Sequence, residues 1–181
     1  MLQSGSSSLT DRLMGVATFK APVYKEIAHD ASAIQPAALI VIAVAIISGL
    51  VSGLLGQGGI LLTLVTIALG VLLGWLINSW LTAFVAKTFF KGDTNTSEML
   101  RVQGHAYIFQ ILGIIPVIGS LAAAVLGIIA NVLAIREASG LDTTKSILTA
   151  IIVGVIVFVV TTIIVGAVVA ASVVAGGAMS Q

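Results

Sequence analysis

The charged positions of this chain fall into three patches separated by long stretches that hold none. The first patch ends at Asp30, the second spans Lys87 to Arg101 and the third spans Arg136 to Lys145. Residues 31–86, 102–135 and 146–181 contain no Asp, Glu, Lys or Arg. Each stretch exceeds the roughly 20 apolar residues with which an α-helix crosses a bilayer. Hydrocarbon offers backbone groups no water, so such runs are expected to be helical. The alternating segments of about ten residues that a membrane barrel requires are absent from the pattern.

Breakers subdivide the runs. Gly56-Gln57-Gly58-Gly59 is a turn signal near the middle of the first run, and Pro36 suits the first turn of the helix that precedes it. Pro116 divides the second run. Asn95-x-x-Glu98 has the form of a capping box, Gly140 sits where a left-handed helix terminator belongs, and Asp142 is placed to cap the last helix. The pattern predicts membrane helices over residues 36–55, 60–87, 97–115, 117–138 and 143–175, with a short tail at 176–181. A re-entrant hairpin is the competing description of the Pro116 region. The expected fold class is all-α: a polytopic transmembrane bundle of five membrane-spanning helices behind a short interfacial amino-terminal segment, residues 1–35.

An odd number of crossings puts the three charged patches on one side, with all 8 basic residues among them. Basic residues mark the cytoplasmic face. The amino terminus is therefore expected inside and the carboxyl terminus outside. In the amino-terminal segment Pro22 is placed to open a short helix with Tyr24 and Ile27 on one face. That segment is expected to lie on the cytoplasmic membrane surface, with a partner-docking helix as the alternative.

Composition narrows the chemistry. With 59% hydrophobic and 8% charged residues, a water-soluble surface cannot be built. A net charge of +1 recruits no nucleic acid, and the absence of cysteine removes thiol catalysis and thiolate metal sites. No nucleophile–base pair, zinc-protease motif or phosphate loop occurs, so neither catalytic residues, metal ligands nor cofactors are expected. The two histidines are His29 and His105. Asn78, Gln110 and Asn131 stand out as amides inside apolar runs. They suit interhelical hydrogen bonds, with Asn78 and Asn131 the packing candidates. Gly49-x-x-x-Gly53 and Gly70-x-x-x-Gly74 offer small faces for close helix approach. Trp75, Trp80, Phe84, Phe89 and Phe90 form an expected aromatic belt beside Lys87 and Lys91.

Several stretches resemble the Yip family, membrane proteins named for interaction with Ypt/Rab GTPases. They are Phe19-Lys20-Ala21-Pro22, then Thr88 to Asp93, then Met99-Leu100-Arg101-Val102-Gln103-Gly104-His105-Ala106-Tyr107. Ile114-Ile115-Pro116 and Ile135 to Lys145 complete the set. The resemblance implies five transmembrane helices with a cytoplasmic amino terminus. It marks Gly104, Tyr107, Pro116, Gly140 and Lys145 as family positions. Tyr107 is not followed by the proline common in prokaryotic relatives. The acidic-aromatic motif of eukaryotic relatives does not occur, so Rab-type GTPase binding is not carried over. The expected role is a non-catalytic scaffold, membrane organiser or accessory subunit. Its partners would be the lipid bilayer and another membrane protein or a second copy. The alternative is a small-solute or ion pathway, which predicts a polar line through Asn78, Gln110 or Asn131.

Overall fold

The computed structural model describes residues 8–55 and 59–178, and every regular element among them is helical. The helices are α1 (Leu9–Ala17), α2 (Ala21–His29), α3 (Ile34–Leu55), α4 (Gly59–Val71), α5 (Asn78–Phe90), α6 (Thr96–Ala106), α7 (Ile118–Ser139) and α8 (Thr143–Ala178). A short 3-10 turn, Ala31–Ala33, leads into α3. Of the turn signal expected between the first two spans, residues 56–58 lie outside the described residues, as do residues 179–181 of the tail.

Three stretches are uninterrupted helices long and apolar enough to cross a membrane: Ala31–Val51, Ile118–Ser139 and Thr143–Ala167. The other two predicted spans are helical but irregular. The second continues without a break from Gly59 to Phe90, with a π-turn at Leu72–Ile77 joining α4 to α5. The third starts as α6 and changes to a 3-10 helix, Tyr107–Ile114. The change gains length. Eleven α residues rise about 16 Å and eight 3-10 residues about 16 Å more. From Val102, where the charge-free run begins, the rise is about 24 Å, somewhat short of the roughly 30 Å hydrocarbon core.

The ends are closed by local chemistry. Asn95 Oδ1 accepts from the Glu98 amide at 3.0 Å, and the Glu98 carboxylate accepts from the Asn95 amide at 3.1 Å. Lys91 closes α5 in the left-handed region, where the Gly92 amide donates to the Ala86 carbonyl at 2.9 Å. A Cβ on Gly92 would sit 3.0 Å from Ser139 and 3.2 Å from Leu141. Gly140 (φ 64°) ends α7, and Asp142 Oδ1 accepts from the Lys145 amide at 2.9 Å to open α8. Pro116 belongs to a tight reversal in which the Ile118 amide donates to the Pro116 carbonyl at 2.8 Å. Val117 then takes φ 62°, ψ −73°, the rarer and strained γ-turn geometry.

The three charged patches meet at one end of the bundle. An Arg101 guanidinium nitrogen donates to the Ala28 carbonyl at 2.6 Å, and the Asp93 amide donates to the Ser139 carbonyl at 2.9 Å. Here the amino-terminal segment does something its pattern did not announce. Helices α1 and α2 form a hairpin that packs on α6 and α7. Val16, Tyr24, Ile27 and Ala28 are fully buried against Met99, Val102 and Ile135. The Tyr24 hydroxyl donates to the Val16 carbonyl at 3.0 Å, and Phe19 stacks on Phe109 at 5.4 Å between centroids. The segment is thus a lid on its own bundle, since burying its apolar face there needs no partner. Buried Arg12 ties the hairpin together through Glu26, at 3.1 Å, and Asp30.

That tie carries a pH dependence. Hydrogen bonds from Arg12, and then from Ser32, lower the Asp30 carboxyl from 3.8 to about 2. A depressed folded-state value means the ionised carboxylate favours the docked hairpin. The stabilisation is complete above the unfolded value and is lost as pH falls from about 4 through about 2. Amide protection factors in α2, exchange rates corrected for intrinsic pH dependence, are expected to fall as pH drops through that window and to stay level above it. Asp30→Asn should remove the dependence.

Candidate functional site

The polar centre of the bundle is built around Gln103, which α6 places facing α5 and α7. Its Oε1 accepts from Ser79 Oγ at 2.8 Å and from Asn78 Nδ2 at 3.2 Å. Its Nε2 donates to Asn131 Oδ1 at 2.9 Å and to Thr82 Oγ1 at 3.1 Å. One amide thus uses two lone pairs and both protons on four side chains from two neighbouring helices. Thr82 passes its own proton to the Asn78 carbonyl at 2.7 Å. Asn78 and Asn131, expected to join helices, both bond to Gln103. Gln103 is harder to read from sequence, since it sits two residues after Arg101 at the polar edge of its run. The signal was present: Gln103, Tyr107 and Gln110 stand at i, i+4 and i+7, one helical face.

The family positions are accounted for structurally. A Cβ on Gly104 would lie 2.6 Å from the Ala37 Cβ and 3.0 Å from Trp75 Nε1, so this glycine lets α6 approach α3. Trp75 is buried and donates from Nε1 to the Leu100 carbonyl at 2.8 Å. It therefore belongs to the core rather than to an aromatic belt, whereas Trp80 and Phe84 are exposed and stacked at 5.9 Å. Tyr107 donates to the Gly70 carbonyl at 3.2 Å, and a Cβ on Gly74 would come within 2.9 Å of the same hydroxyl. Lys145 pairs with Asp142 at 3.4 Å. On the other small-residue face, a Cβ on Gly49 would meet Ile67 at 2.3 Å, and one on Gly53 would meet Thr63 Oγ1 at 2.4 Å. Those glycines set the approach of α3 to α4.

A cleft of about 290 Å³ opens beside the Gln103 cluster. Gly74, Asn78, Gln103, Tyr107, Gln110 and Asn131 are among its walls. A second, of about 230 Å³, lies on the α3 side and shares Tyr107 and Gln110 with the first. All three amides singled out in the sequence therefore face one space. His105 is fully buried nearer the charged end, with Nδ1 at 2.8 Å from the Arg101 carbonyl. Among the described residues, no group of three or more His, Cys, Asp or Glu side chains is arranged to hold a metal ion.

Apolar helices of membrane length, joined by amides inside and by charges at one end, define an integral, multi-pass α-helical membrane protein. The Yip1 domain matches residues 14–176, and the chain belongs to that family. No curated protein and no solved structure matches the chain.

Gln103→Leu strips four bonds at once. Intramembrane side-chain hydrogen bonds average about 0.6 kcal/mol each, so a loss of about 2–4 kcal/mol is expected, including the unpaired groups left behind. Gln110→Leu, which removes no bond among the described residues, should cost less than about 0.5 kcal/mol. Unfolding equilibria in mixed micelles compare the two.

Proposed function

We propose that the protein is a non-catalytic membrane scaffold, crossing the bilayer five times with its amino terminus in the cytoplasm. Its last helix would be the surface that engages another membrane protein or a second copy. Meeting of the charged patches at one end supports the odd number of crossings, because every basic residue belongs to those patches.

The observation that carries the scaffold reading is the half-attached state of α8. It touches α5, α7 and the π-turn, and its buried side chains, Ser146, Thr149 and Val153, all lie in its first half. From Gly154 onward none of its described side chains is buried. Only 11% of its most apolar window is covered by the rest of the chain, against 33% for the first span. Thirty-six residues rise about 54 Å, longer than the whole bilayer of about 40–45 Å. An aliphatic rod of that length must tilt strongly or find protein to cover it. Beside it an aliphatic groove of about 690 Å³ separates α7 from α8, with Arg136 and Thr143 at its charged end.

The absence of cysteine makes the test direct. Single cysteines replace Val155 or Phe158, both exposed on α8, and buried Val153 as the control. Crosslinking in native membranes is expected to join the exposed positions to a stoichiometric neighbour and to leave Val153→Cys unlinked. Exposed positions that stay monomeric in native membranes would overturn the reading.

A further inference from the structure

We propose that the paired clefts around Tyr107 and Gln110 form a binding site, midway through the membrane, for a small uncharged hydrogen-bonding solute of the amide or polyol class. Four independent observations converge there. The first is unused polarity. Gln103 spends its four hydrogen-bonding positions on protein, but the Gln110 amide makes no bond among the described residues. Asn131 uses its Oδ1 alone, and Asn78 its Nδ2 alone among side-chain atoms. Donors and acceptors thus both face the cleft, at a depth where hydrocarbon cannot satisfy them and each open amide is costly.

The second is size. About 290 Å³ holds roughly ten water volumes and lies at the small end of ligand pockets. The third is charge. The walls of both clefts contain no Asp, Glu, Lys, Arg or His. An ion would meet no counter-charge in a low-dielectric surrounding, so the site selects neutral molecules. The fourth is backbone. The π-turn contributes Gly74 and borders Asn78, and the 3-10 segment contributes Tyr107 and Gln110. These two departures from α-helix therefore line the same cleft, and π-turns in particular are frequent at functional sites. Glycine keeps the space open: a Cβ on Gly127 would lie 3.3 Å from the Gln110 amide nitrogen. Tyr107 stands between the two clefts, held by the Gly70 carbonyl.

Saturation-transfer NMR on the full chain in nanodiscs tests the assignment, with acetamide and glycerol as probes and acetate and methylammonium as charged counterparts. Saturable transfer to the neutral probes, and none to the charged ones, is expected. Losing one or two solute hydrogen bonds of about 1 kcal/mol each should weaken binding ~5–30-fold in Gln110→Leu. That variant leaves the Gln103 cluster intact, and its unfolding midpoint, read alongside, separates lost binding from lost fold. Gly127→Val, which fills the cleft from the opposite wall, should weaken binding as well. Absence of saturable transfer, equal transfer to acetate, or unchanged binding in a folded Gln110→Leu would each overturn the proposal. So would displaceable water alone in the cleft.

Discussion

An amide inside hydrocarbon has no solvent to fall back on, and the arrangement of this bundle follows from how that constraint is met at Gln103. Two acceptors and two donors on one side chain are matched by Asn78, Ser79, Thr82 and Asn131, which fixes the rotation of α5, α6 and α7 about their own axes. Lipid supplies no hydrophobic drive between helices, so polar matching and close packing must hold the register. Gly104, the next residue, turns the opposite side of α6 toward α3 and permits contact with Ala37 and Trp75. A single two-residue step therefore locks α6 to its neighbours by hydrogen bonds on one side and by van der Waals contact on the other.

The amino-terminal hairpin completes what the amide cluster begins. Helix α6 carries Glu98, Arg101 and His105 and could not lie bare against lipid tails along its whole length. The hairpin covers its charged half. Arg101 donates to the Ala28 carbonyl near the end of α2, and Ile27 and Tyr24 pack with Met99 and Val102. Phe19, held at φ 56° between α1 and α2, reaches down to Phe109. Burial pushes the Tyr24 phenol well above its ordinary range, so it remains a neutral donor to Val16. The lid and the third helix are thus one packing unit.

Much of this was legible in the residues. Long apolar runs, the Asn95–Glu98 box, the Gly140 terminator and the Asp142 cap depend on local chemistry, and the chain obeys it locally. Sequence shows that Gly49 is small but not that Ile67 lies against it. What stayed hidden depends on long-range geometry. Trp75 and Trp80 look alike in sequence, yet the π-turn directs Trp75 to the Leu100 carbonyl while Trp80 remains outside. The docking of the hairpin was hidden because an apolar face fits a membrane surface and a protein surface equally well. Gln103 was hidden because its neighbour Arg101 suggested an interfacial position, and its four partners lie more than twenty residues away.

The contrast between the middle and the rim of the bundle gives these facts a common cause. Helices α7 and α8 are regular and expose aliphatic side chains on the outside of the bundle, and α8 hydroxyls such as Thr149 and Thr162 bond back to their own helix. The inner pair bends the rules of α-geometry. A π-turn adds a residue to one circuit of the helix and a 3-10 segment removes part of one, so side chains on either side are turned relative to a regular helix. The combination lets Asn78 and Gln103 meet at one level while Tyr107 and Gln110 point to the adjoining clefts. A straight α-helix in place of the 3-10 segment would be about 4 Å shorter, which would change the level at which Gln110 stands along the bundle. The irregular backbone, the open clefts and the unspent amides are therefore consequences of one packing solution, in which the inner helices surrender regularity and those on the outside of the bundle keep it.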